Sequence, residues 1–316
     1  VHVNARHRYL VYGLVIETEL PLTSVHEVAG GEGGADITLL AGSADYFRAI
    51  VPGGVRDPDD WIEHVVLADG SVYMKSGEVF EATISVDGRT AICRMLGNVE
   101  QRAFEANLLN FIVSASLTLL GEETLHATVV EMGGRAVGLL GQNGAGKSTL
   151  AAYLISRGAD LITDDMLRVG FEGDAILAYP GPYRLKLLDQ PGTGFLPDAV
   201  ADGYFNALSG KIMVRPRPEA RRHRAPSRLV ALLHLGEPDD DTVATISSVR
   251  LNGLELAKTL MSSAMDTRYT RNRRMERQIR FVGRVADLLP VHALRYPRTA
   301  EALDGVAREI RRIIGP

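Results

Sequence analysis

Residues 136–155 read AVGLLGQNGAGKSTLAAYLI, and this stretch decides the fold. The apolar run Ala136–Leu140 has the length of a buried strand. GQNGAGKS at 141–148 then fits the pattern G-x-x-x-x-G-K-[ST], and the apolar pattern Leu150–Ile155 has helical spacing. Strand, glycine-rich turn and helix N-terminus are the context a phosphate-binding loop requires. Gly141, Gly144 and Gly146 free the backbone to curl, so that amides of Asn143, Ala145 and their neighbours can surround phosphate oxygens. Lys147 supplies a cation at the β/γ-phosphates, Ser148 a hydroxyl for Mg2+, and Thr149 a further contact at the helix start.

Working outward, ADLITDD reads as a strand that follows the helix 147–157, with Gly158 at the helix C-cap. It delivers Asp164 and Asp165 17 and 18 residues after Lys147, back at the edge of the loop. Neighbouring strand-end side chains point apart, so one carboxylate can face an attacking hydroxyl and the other a metal. Magnesium takes hard oxygen ligands, and a base or orienting group is needed at the nucleophile. LHATVV and RAVGLL are expected strands before the loop. AILAYP, RLVALLHL and PVHALRYP are expected strands after it, and PDDDT an expected turn. LNGLELAKTLMSSAM, the stretch from about Asn272 to Leu289, and LDGVAREIRRII are expected helices. Residues 170–200 are expected to be largely loop, and 198–210 helix-like or mobile.

Upstream, the short apolar runs YLVYGLVI, ADITLL, Val65–Leu67, Val72–Met74, Val79–Val86 and Thr90–Met95 predict a β-rich domain over 1–98. Asp69-Gly70 and Asp87-Gly88 are its expected hairpin turns. Phe104, Leu108, Phe111, Ile112 and Leu119 then recur at helical spacing. Asn98 and Gln101 are expected to form a capping box, and Gly121 to end the helix. This gives a helical connection over 99–121 and an α/β catalytic domain over 122–316.

Composition narrows the function. At 316 residues the chain has room for two domains, and 46% hydrophobic with 23% charged residues marks it as globular. A net charge of −4 argues against a nucleic-acid-coating protein. The single cysteine, Cys93, excludes an internal disulfide and fits a reducing compartment, so a cytoplasmic location is expected. No run of eighteen apolar residues is present, so no membrane partner is expected. The string LSGKI at 208–212 departs from the LSGGQ-like signature that a transporter ATPase needs, which excludes that class.

The stretch 125–169, LHATVVEMGGRAVGLLGQNGAGKSTLAAYLISRGADLITDDMLRV, resembles the HPr kinase/phosphorylase family. In particular it resembles the kinase-only branch found beside modified-peptide (lasso peptide) biosynthesis genes. His126, Gly141, Lys147, Ser148, Arg157, Gly158, Asp164 and Asp165 fall in register with the family's order of histidine, strand, loop, helix and Asp-Asp. The likeness extends to YLVYGLVIETELPL, AYPGPYRLKLL and the ending FVGRVADLLPVHALRYPRTAEALDGVAREI. It implies a P-loop kinase domain of HPr kinase type preceded by a small β-rich domain. It implies that Asp164 is the general base for a serine hydroxyl, that Asp165 joins Ser148 at Mg2+, and that His126 tunes the phosphate site. A histidine in so apolar a strand also serves as a satisfied core residue. Gln142 and Thr149 stand where the bifunctional enzymes carry an acid and a glutamate, which implies kinase rather than phosphorylase activity.

ATP and Mg2+ are the expected cofactors, and a serine-containing peptide or small protein the expected acceptor. A small-molecule hydroxyl and a nucleotide-binding regulatory module are the alternatives. Arg184 and Lys211 are the expected extra cations at the transferring phosphoryl, in loops over the site. The segment 191–210 is the expected lid, and Tyr179 and Tyr183 either stack on substrate or fill the fold. Arg215, Arg217, Arg221, Arg222, Arg224 and Arg228 form one basic cluster, and Arg268, Arg271, Arg273, Arg274, Arg277, Arg280 and Arg284 another. In the second, Arg273, Arg277, Arg280 and Arg284 share one helix stripe, a surface for an acidic peptide or a second subunit. The resemblance leaves oligomeric state open, with a homo-oligomer as one expectation, because the related bifunctional family includes hexamers.

Overall fold

A computed structural model of the chain describes residues 6–28, 33–50, 62–77, 79–188, 193–205, 209–216, 225–236, 244–266 and 272–315. It divides into two compact units, Val1–Glu122 with Gly203–Gly210, and Glu123–Asp202 with Lys211–Pro316. It is a mixed α/β structure with several sheets.

The first unit is built on an eight-stranded sheet. Its strands are β1 (His7–Val11), β2 (Leu14–Thr18), β3 (His26–Glu27), β4 (Ile37–Ala41), β5 (Ile62–Val66), β6 (Val72–Ser76), β7 (Phe80–Ile84) and β8 (Thr90–Met95). They lie in the order β3-β1-β2-β4-β8-β7-β6-β5. The run YLVYGLVI is two strands rather than the single one expected. Tyr12 and Gly13, at φ 54° and 70°, turn it into a hairpin with Val11 opposite Leu14. Two consecutive left-handed residues form the tight turn that matches strand twist. Alternation then buries Leu14, Ile16 and Thr18 on one face. A short helix, α1 (Ala44–Ile50), follows β4 and anchors Phe47.

The helical pattern after Asn98 becomes α2 (Gln101–Asn107), a π-helical turn (Leu108–Ile112) and α3 (Val113–Leu120). The expected capping box does not form: Glu100 is the N-cap and makes no side-chain cap bond. Gly121 ends the run in the left-handed conformation at φ 97°. The run Gln101–Leu120 is long and apolar enough to cross a membrane by length and composition, with a mean hydropathy of 1.4 over its most apolar 18 residues, yet 83% of that window is buried. A helix hydrophobic on all sides is a core helix when protein surrounds it.

In the second unit a nine-stranded sheet carries the site. Its strands are β9 (Thr124–Leu125), β10 (Ala127–Met132), β11 (Arg135–Leu140), β12 (Asp160–Thr163), β13 (Leu167–Glu172) and β14 (Ala175–Ala178). A small three-stranded sheet holds β15 (Leu185–Leu187), β16 (Val200–Tyr204) and β17 (Ile212–Arg215). The large sheet is completed by β18 (Ser227–Leu235), β19 (Ser247–Arg250) and β20 (Val291–Arg295). Its order is β12-β10-β11-β18-β14-β13-β9, with β20 on β18 and β19 on β20. The pairs β11–β18 and β18–β20 are parallel, so their carboxyl ends share one edge.

Four helices cover the two faces: α4 (Lys147–Ser156), α5 (Gly253–Ser262), α6 (Asn272–Leu288) and α7 (Leu303–Ile314). Leu150, Leu154, Val306 and Ile310 pack with Val137, Leu139 and Leu233 on one side. Leu260, Val282, Val285 and Leu289 pack with Ala136, Leu140 and Leu232 on the other. Adjacent residues of one strand thus serve opposite cores, which is why these strands read as unbroken apolar runs.

Part of the segment expected to be helix-like or mobile, 198–210, is strand β16, an edge that pairing with β17 supports. Strands β13, β15, β17 and β19 were not expected from the apolar pattern. The expected PDDDT turn, Arg217, Arg221, Arg222, Arg224, Arg268, Arg271 and parts of 191–210 lie outside the described residues.

Candidate active site at the carboxyl edge of the sheet

Strand β11 runs into the glycine-rich loop, and the loop into α4. Gly141 sits at φ 143°, where a β-carbon would lie 3.0 Å from Ala145 Cβ and 3.2 Å from the Leu235 carbonyl. Gly144 and Gly146 both sit at φ 85°, and Gly146 caps α4. Only glycine takes these conformations without strain. Asn143 and Gly144 are exposed at the crest, Ala145 is buried beneath it, and Thr149 is half-buried in the first helical turn.

Lys147 folds back across the loop. Its Nζ donates to the Gly141 carbonyl at 2.7 Å and the Gln142 carbonyl at 3.0 Å. Burial pushes this ammonium down to about 8, with the Asp165 and Asp164 carboxylates opposing the shift and Lys211 adding to it. An anion in that loop would stabilise the charged form of this desolvated lysine.

Strand β12 ends in Asp164-Asp165. Asp165 takes φ 69°, uncommon for a residue with a side chain and tolerated best by Asn and Asp. The Met166 amide donates to the Asp164 carbonyl at 3.0 Å, closing the turn. The two carboxylates consequently diverge. Asp164 accepts from the Thr128 hydroxyl at 2.6 Å, the Lys186 amide at 2.9 Å and the Ser148 hydroxyl at 3.2 Å. Asp165 pairs with the Lys186 ammonium, which is 5% exposed.

Their titrations separate accordingly. Burial raises Asp164, the negative charge of Asp165 adds to that, and the Thr128 and Lys186 hydrogen bonds oppose it. Burial would raise Asp165 as well, but the charges of Lys186 and His126 beside it hold it well below the usual carboxylate range. Burial also pushes the Lys186 ammonium down, although Asp165 pulls it up. Two adjacent acids pushed in opposite directions are the pattern by which one fold keeps a base and a permanently ionised group side by side.

His126 lies between β9 and β10. Its amide donates to the Ser263 carbonyl at 2.6 Å, and its Nδ1 faces the Asp165 carbonyl at 3.0 Å. Burial lowers it to about 4, with the Lys147 charge as the next cause. At neutral pH it is an uncharged imidazole that donates from Nδ1, holding the Asp165 turn.

The structure thus brings Lys147, Ser148, Asp164, Asp165 and His126 together, within reach of loop residues 141–149. It places Asp164 rather than Asp165 beside Ser148. Arg184 is buried just ahead of β15, instead of in a covering loop, and its charge reaches Lys186. Lys211 precedes β17, and its charge reaches Lys147 and Asp165. Tyr183 is in the core, and Tyr179 lies under Arg168 at 4.6 Å. On the arginine stripe, Arg277 pairs with buried Glu123 at 2.8 Å, and Arg284 covers Phe171 at 4.0 Å. Arg274, off the stripe and 3% exposed, pairs with the same Glu123. Arg273 and Arg280 remain exposed. In the other basic cluster Arg215 pairs with Asp202 at 2.6 Å.

Neither Thr128 nor Lys186 belongs to a motif in the sequence. Lys186 carried a usable signal, a lone charge between the leucines of LKL, where a buried lysine demands a carboxylate partner. A cavity of about 760 Å³ adjoins the loop, lined by His126, Gly141, Gln142, His234 and Lys258 with the hydroxyls at the end of α5. Among the described residues no group of three or more His, Cys, Asp or Glu side chains is arranged to hold a metal. The Ser148 hydroxyl and the carboxylates beside it are hard oxygen donors, the set that Mg2+ uses when phosphates complete its shell.

No family model matches the chain. Curated relatives are similar over parts of it. HPr kinase/phosphorylase of Exiguobacterium sp. is 30% identical over 103 residues, 32% of each chain. That of Peptoclostridium acidaminophilum is 35% identical over 79 residues, 25% of this chain and 26% of the relative. That of Lactobacillus gasseri is 31% identical over 100 residues, 29% and 31%. The matched region therefore spans about a third or less of these relatives' length. Among solved structures, the Hpr(Ser) kinase/phosphatase from Coxiella burnetii overlaps 60% of this chain and 94% of its own, at 12% identity and a TM-score of 0.34. The chain is thus similar in part to proteins named HPr kinase/phosphorylase.

Proposed function

We propose that this chain is an ATP- and Mg2+-dependent kinase that transfers the γ-phosphoryl group to a serine hydroxyl of a peptide or small protein. One observation carries the reading: a glycine-rich loop with its lysine, a helix-start serine and a buried carboxylate of raised pKa converge within hydrogen-bond distances of one another. The partial likeness to HPr kinase/phosphorylases supports the same chemistry. Loop amides and Lys147 would hold the β/γ-phosphates, and the 141–146 loop is this domain's P-loop in that reading.

Asp164 is the proposed base. Its carboxylate already accepts from hydroxyls of Thr128 and Ser148, so an acceptor hydroxyl meets a group built to take such a bond. The raised pKa makes it a better base than an ordinary aspartate. Ser148 would hold Mg2+, with Asp165 as the supporting carboxylate, and the ion would supply charge neutralisation on the triphosphate. Asp165, locked to Lys186, maintains a fixed negative charge near the ion, and His126 fixes the turn that aims both acids. Arg184 and Lys211 add positive potential. A hydroxylated small molecule is the second reading, because a cavity of about 760 Å³ beside the loop lies in the size range of small-molecule sites. Within the first reading, the acceptor is placed in the modified-peptide branch, and the protein in the cytoplasm, as a possible homo-oligomer without nucleic-acid or membrane partners.

The test is transfer from γ-labelled ATP, with and without Mg2+, to a panel of serine peptides, the small proteins encoded nearby and hydroxylated metabolites. Label on a peptide serine supports the proposal. Label on a metabolite alone replaces it with the second reading. Mg2+-dependent ATP binding with no transfer to any acceptor contradicts both.

A further inference from the structure

The parallel strands β11, β18 and β20 end on one edge of the sheet, the edge at which open α/β sheets hold their ligands. β11 contributes the loop. β20 contributes Tyr296-Pro297-Arg298, which the phosphate chemistry above does not use. Tyr296 is 4% exposed, and Arg298 lies over its ring at 4.3 Å from the centroid. Arg298 Nη2 donates to the Gly236 carbonyl, just past β18, at 3.1 Å. Both side chains border the loop's last glycine. A β-carbon on Gly146 would lie 3.6 Å from Arg298 Nη1 and 3.8 Å from the Tyr296 hydroxyl. A guanidinium plane is thus fixed from below by a buried ring and at its edge by a carbonyl, while Arg298 remains exposed to solvent.

We infer that Arg298, backed by Tyr296, is the platform for the nucleobase. This rests on the proposed nucleotide site and adds the part of the ligand that the loop cannot read. With the triphosphate on the loop amides, sugar and base must leave along one flank, and the Gly146 flank offers a flat, held cation. Guanidinium planes stack on aromatic faces, and a purine is the largest such face in a nucleotide. Stacking does not read exocyclic groups. ATP and GTP therefore bind alike, CTP more weakly, and inorganic tripolyphosphate gains nothing from Arg298. Arg298 is a positioning residue, assigned to the nucleobase and not to the transferring phosphoryl.

The test uses the full chain with Mg2+ and equilibrium titration of ATP, GTP, CTP and tripolyphosphate. Wild type is compared with Arg298→Ala and Arg298→Lys, both at an exposed position. Arg298→Ala is expected to weaken ATP and GTP roughly tenfold and leave tripolyphosphate within about twofold. Arg298→Lys is expected to behave like the alanine variant, because an ammonium has no plane to stack. Unchanged ATP affinity in Arg298→Ala overturns the inference and leaves the kinase reading intact. An equal loss for tripolyphosphate also overturns it, by making Arg298 a phosphate contact. Failure of wild type to bind any of the four overturns the nucleotide site itself.

Discussion

Glu105 in the first unit and Asp164 in the second are both buried carboxylates, and their surroundings treat them differently. Glu105 accepts from the Thr23 amide and hydroxyl at 2.8 and 2.9 Å, from the Ser24 amide at 2.8 Å and from the Ser24 hydroxyl. These partners are neutral donors from one loop, so the carboxylate staples that loop to α2. Asp164 also accepts hydrogen bonds, but it shares its site with Asp165, Lys147 and Lys186, each buried and each titrating away from its ordinary value. A protein that needs a buried acid only for structure satisfies it completely. Crowding four ionisable groups at a strand end costs stability, and such clusters concentrate at functional sites.

The largest effect that separates the two regions is expected at Lys186. Lys186→Met strands Asp165 in the interior, and breaking a buried pair by removing one partner costs about 3–5 kcal/mol. Asp165→Asn in the same chain should return a substantial part of that, since neither charge then remains. Chemical denaturation of the three variants measures it. If Lys186→Met is neutral, the pair is not the buried anchor described here.

A smaller loss is expected at Glu105. Glu105→Ala leaves the buried donors of Ser24 unpaired, while those of exposed Thr23 turn to water, at a cost of about 1–3 kcal/mol. Nucleotide affinity should not move, because the role is structural. A melting curve and a titration on the same sample decide this, and a large change in ATP affinity would erase the contrast between the two acids.

The smallest effect is a pH dependence. The free-enzyme kcat/KM for ATP should fall above about pH 8, where the Lys147 ammonium deprotonates. The limb for kcat should lie higher, because bound triphosphate stabilises the ammonium. On the acid side, raised Asp164 should place the other limb above the ordinary aspartate range. The stability term has its own sign. Lys147 is lowered in the fold from 10.5, so the unfolded chain binds more protons between about 8 and 10.5 and stability rises with pH across that window. An alkaline limb at the ordinary lysine value would remove Lys147 from its buried setting.

The loop and the acid pair were legible because each rests on local rules. Glycines at 141, 144 and 146 announce a backbone no other residue takes easily, and one helix plus one strand returns Asp164 to Lys147. What remained hidden depends on contacts distant in sequence. Thr128 looks like any threonine in an apolar strand until β12 pairs beside β10 and presents Asp164 to it. Lys186 sits in a three-residue strand too short to show a period. Tyr12-Gly13 reads in sequence as part of a strand because Tyr is a strand former, although the φ of 54° at Tyr12 makes the turn. The capping box at Asn98 failed because the helix begins only at Gln101, so the sequence motif was out of register with the cap. The arginine stripe of α6 read as a docking surface because Glu123 lies some 150 residues away along the chain.

The most direct test of the central claim compares wild type with Asp164→Asn, measuring Mg2+-ATP affinity and single-turnover γ-phosphoryl transfer to the acceptor that the panel identifies. The account predicts ATP affinity within a few-fold of wild type and transfer slowed by about 10²–10⁴. Transfer at the wild-type rate, or equal losses of binding and transfer, would contradict the assignment of Asp164 as the base of a kinase.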